Sequence, residues 1–188
     1  QEVAAVIATS RYAAADGVAA VDVEYEPLDP VVDPYKALEP GATLVRPDRK
    51  NTNHIWHWEA GNKEATDKVF SEADLTVAQH LYLPRIHVAS IETCGCVASY
   101  DKANEKLTVY MTTQAPHAVR TVVALVAGHV GLSEERIRII SPDIGGGFGG
   151  KVPVYPGYVI AIAVSFLLGK PIKWIEDRME NLQADSFA

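Results

Sequence analysis

Two stretches carry apolar residues at helical spacing over several turns. Behind Pro116, the residues Val119, Val122, Val123, Val126 and Val130 form one stripe, and proline suits the first turn of a helix. Residues 158–168 form an almost continuous apolar run that Gly169 and Pro171 terminate, the pattern of a buried helix. A shorter amphipathic helix is predicted over 63–73, with Ala65, Val69 and Phe70 on one face. Near the start, Ser10 suits the N-cap of an alanine-rich helix over 11–20, interrupted by Gly17.

Elsewhere the period shortens to that of strands. Alternation predicts an edge or half-buried strand over 21–25, and strand-like runs follow at 75–83, 94–100, 107–113, 136–140 and 172–175. Residues 101–106 read as a hairpin turn. Pro27, Pro30 and Pro34 break regular structure, and Pro40-Gly41 and Pro47-Asp48 are turn signals in an irregular stretch over 33–61. His54, Trp56, His57 and Trp58 cluster there and read as an aromatic segment laid across a domain surface. Strands and helices alternate through the second half, which predicts a mixed α/β layer.

Composition narrows the function classes. With 188 residues, the chain holds one domain or one and a half, and 48% hydrophobic against 22% charged residues allow a sizeable core. The net charge is −7 and the basic residues are scattered, which argues against a nucleic-acid surface and a polybasic membrane patch. No apolar run reaches spanning length, and no secretory signal is visible. Two cysteines make no disulfide framework; a reducing compartment is expected. The chain opens at Gln1 in what reads as mid-domain sequence, so a fragment is expected.

The candidate chemistry centres on Gly145-Gly146-Gly147-Phe148-Gly149-Gly150-Lys151, where five of seven residues lack a Cβ. Consecutive backbone N–H groups in such a loop can face one concavity and hold an anion or an electron-rich oxygen. A phosphate loop fits up to Val152, which stands where a Ser or Thr should bind Mg²⁺. A dinucleotide fingerprint fits Gly145, Gly147 and Gly150, with Glu176 near the place of a ribose-binding acid; Pro153 and Pro156, however, delay the helix. A glycine-rich turn without a ligand is the third option. Gln114 lies at a strand-to-helix junction, where its amide would face the crevice in which α/β sheets hold ligands, or else cap the helix. Cys94 and Cys96 lack further ligands at metal-site spacing and read as small buried strand residues. The six histidines form no obvious pair with a carboxylate, so no metal ligand or nucleophile is nominated.

Several stretches together resemble one family. They are Glu92-Thr93-Cys94-Gly95-Cys96-Val97-Ala98, Gln114-Ala115-Pro116-His117, Pro142-Asp143-Ile144 with the glycine loop to Lys151, and the run from Trp174-Ile175-Glu176-Asp177 to Arg178-Met179-Glu180-Asn181. They are similar to the large, molybdenum-binding subunit of the molybdenum hydroxylases, which include xanthine dehydrogenase and aldehyde oxidase. The context of the cysteine pair and Val154-Tyr155-Pro156-Gly157-Tyr158 resemble the aerobic carbon monoxide dehydrogenase branch.

The resemblance implies residues 1–35 as the end of an α/β hammerhead domain, 36–61 as a linker and 62–188 as the first part of a molybdopterin-binding α/β domain. It implies that Gln114 hydrogen-bonds an oxygen ligand of molybdenum, and that Gly146, Gly147, Phe148 and Gly149 approach those ligands and the pterin. The implied cofactor is molybdopterin cytosine dinucleotide with molybdenum, and the complete enzyme has room for copper. The implied reaction oxidises CO with water to CO₂. Electrons pass to [2Fe-2S] clusters on a small subunit and FAD on a medium subunit, in a dimer of heterotrimers. The implied location is the cytoplasm, with a peripheral inner-membrane position open. The family's active-site cysteine loop and catalytic glutamate are expected beyond Ala188, so CO, an aldehyde and an N-heterocycle all remain open as substrate. The 188-residue piece by itself is expected to be inactive and to bind little molybdenum. The alternatives are a nicotinamide-dependent dehydrogenase using the glycine loop and a non-catalytic module of the same fold.

Overall fold

The computed structural model describes residues 3–48 and 51–185. Its chain divides into two compact units, Ala8–Leu81 and Gln1–Ile7 with Tyr82–Ala188.

In the first unit, helix α1 (Arg11–Ala19) starts where Ser10 Oγ accepts the Ala13 N–H at 3.2 Å. Helix α2 (Lys63–Glu72) starts where Asn62 Oδ1 accepts the Ala65 N–H at 2.9 Å. Both helices match their sequence signals to within a residue at each end. The irregular stretch between them is tied by Asn53, whose Oδ1 accepts the Val45 N–H while Nδ2 donates to the carbonyls of Ala37 and Thr43. Trp56 and Trp58 are exposed, so this amide, rather than the aromatic segment, fixes the local course of the chain.

Residues 21–25 and 75–83 are not strands. Alternation makes a strand only where a second strand supplies the ladder. None pairs with these runs among the described residues, and Tyr25, Leu75, Val77 and Leu81 are exposed.

In the second unit, β1 (Gly95–Asp101) and β2 (Lys106–Met111) form an antiparallel hairpin. Asp101 Oδ1 closes the turn by accepting the N–H groups of Ala103 and Asn104. Helix α3 (Pro116–Ala127) then crosses to β3 (Ile137–Ile140), which pairs with β2 in parallel. Helix α4 (Pro156–Leu168) returns to β4 (Ile172–Ile175), antiparallel to β1, and the sheet order is β3-β2-β1-β4. Helix α5 (Arg178–Ala184) follows; it was absent from the helical pattern, yet Asp177 and Glu180 form a capping box that the D-x-x-E spacing encodes.

Alternate strand residues build the core. Cys96 and Ala98 of β1, Leu107, Val109 and Met111 of β2 and Ile137 of β3 meet Val119 and Val123 of α3 and Tyr158 and Ala161 of α4. Ala98 and Val109 are directly opposed and both 0% exposed. The valine stripe of α3 divides between two environments. Val119 and Val123 are buried, whereas Val122, Val126 and Val130 join Val159 and Leu167 along an open apolar groove between α3 and α4. No helix among the described residues is long and apolar enough to cross a membrane.

Because β2 and β3 are parallel neighbours, the segments that leave their C-terminal ends emerge side by side. These are the stretch containing Gln114 and the stretch containing the glycine loop.

Candidate functional site

Backbone and side-chain bonds join the two segments. The Gln114 N–H donates to the Lys151 carbonyl at 3.0 Å, and Ser141 Oγ donates to the Thr113 carbonyl at 2.7 Å. Gln114 Oε1 accepts the N–H groups of both Gly149 and Lys151, each at 3.1 Å. Both partners are donors, so the atom facing them must be the oxygen. The orientation of the carboxamide follows, and Nε2 points away from the loop's end with two hydrogens to donate.

The glycine loop has a matching division of labour. Gly145 gives its N–H to Glu92, Gly149 and Lys151 give theirs to Gln114, and Gly150 donates to the Gly147 carbonyl at 2.8 Å. The N–H groups of Gly146, Gly147 and Phe148 have no acceptor among the described residues. Three consecutive N–H groups without an acceptor, on a loop that the Gln114 carboxamide packs against, are the kind of donor set that holds electron-rich oxygens. Phe148 has φ 50°, a left-handed conformation unfavourable to a side chain, and is 72% exposed. Its ring lies over Gly146, with Cε2 3.0 Å from where a Cβ on that glycine would be.

A third segment lies against the loop. The Glu92 N–H donates to the Gly145 carbonyl at 3.1 Å, and Glu92 Oε2 accepts from the Gly145 N–H at 2.8 Å and from Lys151 Nζ at 2.7 Å. Lys151 is 3% exposed. Partial burial works against ionisation of Glu92. The Lys151 hydrogen bond, the Gly145 N–H and the Lys151 charge outweigh it and hold the carboxyl below its usual value.

This segment is anchored in turn on α5. Arg178 Nη2 donates to the carbonyls of Ser90 and Ile91 at 2.7 and 2.8 Å, while Nη1 donates to Asn181 Oδ1. The Ala89 N–H donates to His87 Nδ1, so His87 Nε2 carries the proton that it shares with the Asn181 carbonyl at 2.9 Å.

Sequence reasoning missed one buried cluster. Donor atoms of Cys94, Glu176 and Asp185 lie within 4.8 Å of one another, all three residues buried. Glu176 Oε2 accepts the Cys94 N–H at 3.0 Å and an Asn181 Nδ2 hydrogen at 3.2 Å; Asp185 Oδ2 accepts from Asn181 at 2.6 Å. Burial, opposed by the Cys94 N–H and assisted by Asp185, pushes the Glu176 carboxyl up to about 7. Burial likewise pushes the Cys94 thiol up to about 12, which makes it an inert, protonated sulfur. The cluster's signal in the sequence was only the proximity of Glu176 to the capping box.

Gln114, Gly146, Gly147, Phe148 and Gly149 therefore converge, and the Gln114 carboxamide sits where a Gly147 side chain would be: a Cβ there would lie 2.5 Å from Gln114 Cδ. The dinucleotide geometry is not formed. Helix α4 begins at Pro156 rather than at Gly150, and the Glu176 carboxylate is buried against Cys94 instead of facing a ribose.

Comparison with known proteins gives a consistent picture. The model of the molybdopterin cofactor-binding domain matches residues 45–188. The carbon monoxide dehydrogenase large chain of Hydrogenophaga pseudoflava is 54% identical, aligned over the whole chain and 24% of its own length. The nicotine 6-hydroxylase large subunit of Paenarthrobacter nicotinovorans is 38% identical over the whole chain and 22% of its own length. Among solved structures, that of a Cu,Mo-CO dehydrogenase superposes with a TM-score of 0.83 at 50% identity, covering 95% of this chain and 23% of the other. The chain thus spans about a quarter of the length of these relatives.

Proposed function

We propose, for a chain that belongs to the molybdopterin cofactor-binding domain family, that Gln114 and the loop from Gly146 to Gly149 hold the oxygen-rich end of a molybdenum cofactor within the large subunit of a molybdenum hydroxylase. The observation that carries this reading is the saturation of Gln114 Oε1 by two loop N–H groups, which leaves the Nε2 hydrogens to donate elsewhere, next to a loop whose Gly146, Gly147 and Phe148 N–H groups have no acceptor among the described residues. The residues fit the group: three consecutive N–H groups lack an acceptor among the described residues, on a loop whose lack of a side chain at Gly147 lets the Gln114 carboxamide pack against it.

When bound, the molybdenum cofactor supplies the two-electron chemistry by which CO and water become CO₂, two protons and two electrons. This chain's own residues bind and orient. Gln114 Nε2 donates to an oxygen acceptor, and the N–H groups of Gly146, Gly147 and Phe148 donate to others, which stabilises negative charge without coordinating the metal. CO is favoured over an aldehyde or an N-heterocycle by the greater identity to the carbon monoxide dehydrogenase chain than to the nicotine-hydroxylating one. The cytosine dinucleotide form of the cofactor, copper in the complete enzyme, and partner subunits carrying [2Fe-2S] clusters and FAD belong to the same proposal. So do a hammerhead-domain end over residues 1–35, a linker over 36–61 and a cytoplasmic location, which the free cysteines favour.

The test is made on the complete subunit assembled with its partners. Molybdenum, pterin and nucleotide content are measured, together with dye reduction driven by CO, by an aldehyde and by an N-heterocycle. Stoichiometric molybdenum with turnover of CO alone is expected. Absence of molybdenum, or tight NAD⁺ binding in its place, overturns the reading.

A further inference from the structure

Residues 88–92 form a strap along the glycine loop, and alternate side chains of the strap face its glycines. A Cβ on Gly150 would come within 2.7 Å of Val88 Cγ2, one on Gly146 within 3.3 Å of Ser90 Cβ, and one on Gly145 within 2.6 Å of Glu92 Cβ. The loop therefore lacks side chains at the three glycines against which the strap packs.

Within the strap, Glu92 differs from its neighbours. A single oxygen, Oε2, accepts from the first residue of the loop, Gly145, and from the last, Lys151. Lys151 Nζ is buried, and Glu92 is its ion-pair partner among the described residues. The Lys151 N–H meanwhile goes to Gln114 Oε1. Lys151 thus links the carboxylate behind the loop to the carboxamide beside it.

We propose that Glu92 is a positioning residue for the cofactor site: by holding Gly145 and Lys151 on one carboxylate oxygen, it sets the curvature that turns the N–H groups of Gly146, Gly147 and Phe148 toward the side on which Gln114 presents its amide. Glu92 acts through the loop and through Lys151 rather than on the ligand. The proposal rests on the reading of the loop as a cofactor cradle, and its ligand is the oxygen-rich face of that cofactor. A buried lysine that loses its ion-pair partner is strongly disfavoured where it stands, so the loop end would move to hydrate it.

The experiment compares Glu92→Gln, Lys151→Met and the double variant in the complete, partnered subunit. Glu92→Gln keeps an acceptor for Gly145 but strands the Lys151 charge; the double variant removes both charges. Two readouts are taken, hydrogen exchange of individual backbone N–H groups and molybdopterin content. In Glu92→Gln the N–H groups of Gly145, Gly149 and Lys151 are expected to exchange at least roughly tenfold faster, with those of β1 and β2 within about twofold of wild type. Molybdopterin content is expected to fall about fivefold or more, and the double variant to recover loop protection to within about threefold. Unchanged loop exchange overturns the proposal. So does a uniform rise that includes the strands, which is the mark of general destabilisation, and so does full cofactor content in a variant whose loop has opened. Should the wild type carry no molybdopterin, the reading of the site fails, while the exchange comparison still passes or fails Glu92 as the organiser of the loop.

Discussion

Gln114 occupies the volume that a side chain on Gly147 would need, with Cδ 2.5 Å from the ideal Cβ position. The two residues form a single fit between a carboxamide and a bare backbone. Gly147→Ala must displace the carboxamide and break both of its bonds to the loop. The expected cost is on the order of 1–3 kcal/mol, read as a lowered Tm, accompanied by a larger fall in molybdopterin content than stability alone would produce.

Gln114→Glu separates the two ends of this side chain. A carboxylate can still accept the N–H groups of Gly149 and Lys151, so the Tm should change by no more than the equivalent of about 1 kcal/mol. The donor is lost and a negative charge now faces the ligand's oxygens. Cofactor content, measured by metal analysis and pterin fluorescence, should drop by about tenfold or more.

Stability should depend on pH through Glu176. Its carboxyl titrates near 7 in the folded protein against 4.5 as the ordinary value, so between those pH values the folded state binds more protons than the unfolded one. This contribution is fully present below about pH 4.5, declines as pH rises through about 7 and is absent above it. Glu176→Gln should flatten that slope, by on the order of 1–2 kcal/mol between pH 5 and pH 8 in chemical denaturation.

Glu92 has the opposite sign. Its carboxyl is held below the usual value, so its contribution is present at neutral pH and disappears as pH falls through the lowered folded value. Acidification should therefore release the loop before the strands. Hydrogen exchange at Gly145, followed from neutral to acid pH and corrected for the intrinsic rate, checks the order of events.

Arg178→Lys should loosen the strap from α5. The guanidinium reaches Ser90, Ile91 and Asn181 at once through its planar fork, a geometry that an ammonium cannot reproduce. A loss of about 1–3 kcal/mol is expected, with faster exchange across residues 88–92 while α4 keeps its protection.

Elements with a clear period bounded by turn or capping residues were the legible ones. The β1–β2 hairpin, α3 behind Pro116, α4 ending at Gly169 and β4 all follow from period and punctuation. So does the approach of Gln114 to the loop, since both follow parallel strands of one sheet. The runs at 21–25 and 75–83 read as strands because alternation records only that two faces differ; it cannot supply a neighbour for the ladder. The Glu92–Lys151 pair was illegible for another reason. Its members are 59 residues apart, and neither stands in a pattern that names the other. The Cys94–Glu176–Asp185 cluster forms only when α5 folds back on the start of β1, so in sequence Cys94 reads as a strand residue, Glu176 as an acid near a ribose-binding place, and Asp185 carries no signal.

Tyr155, in the residue before α4, donates its hydroxyl to the Gly150 carbonyl at 2.5 Å. This strut joins the rear of the cradle to the mount of a thirteen-residue rod. The position of the Gly150 carbonyl is thereby tied to the start of the rod whose outer flank carries Val159 and Leu167.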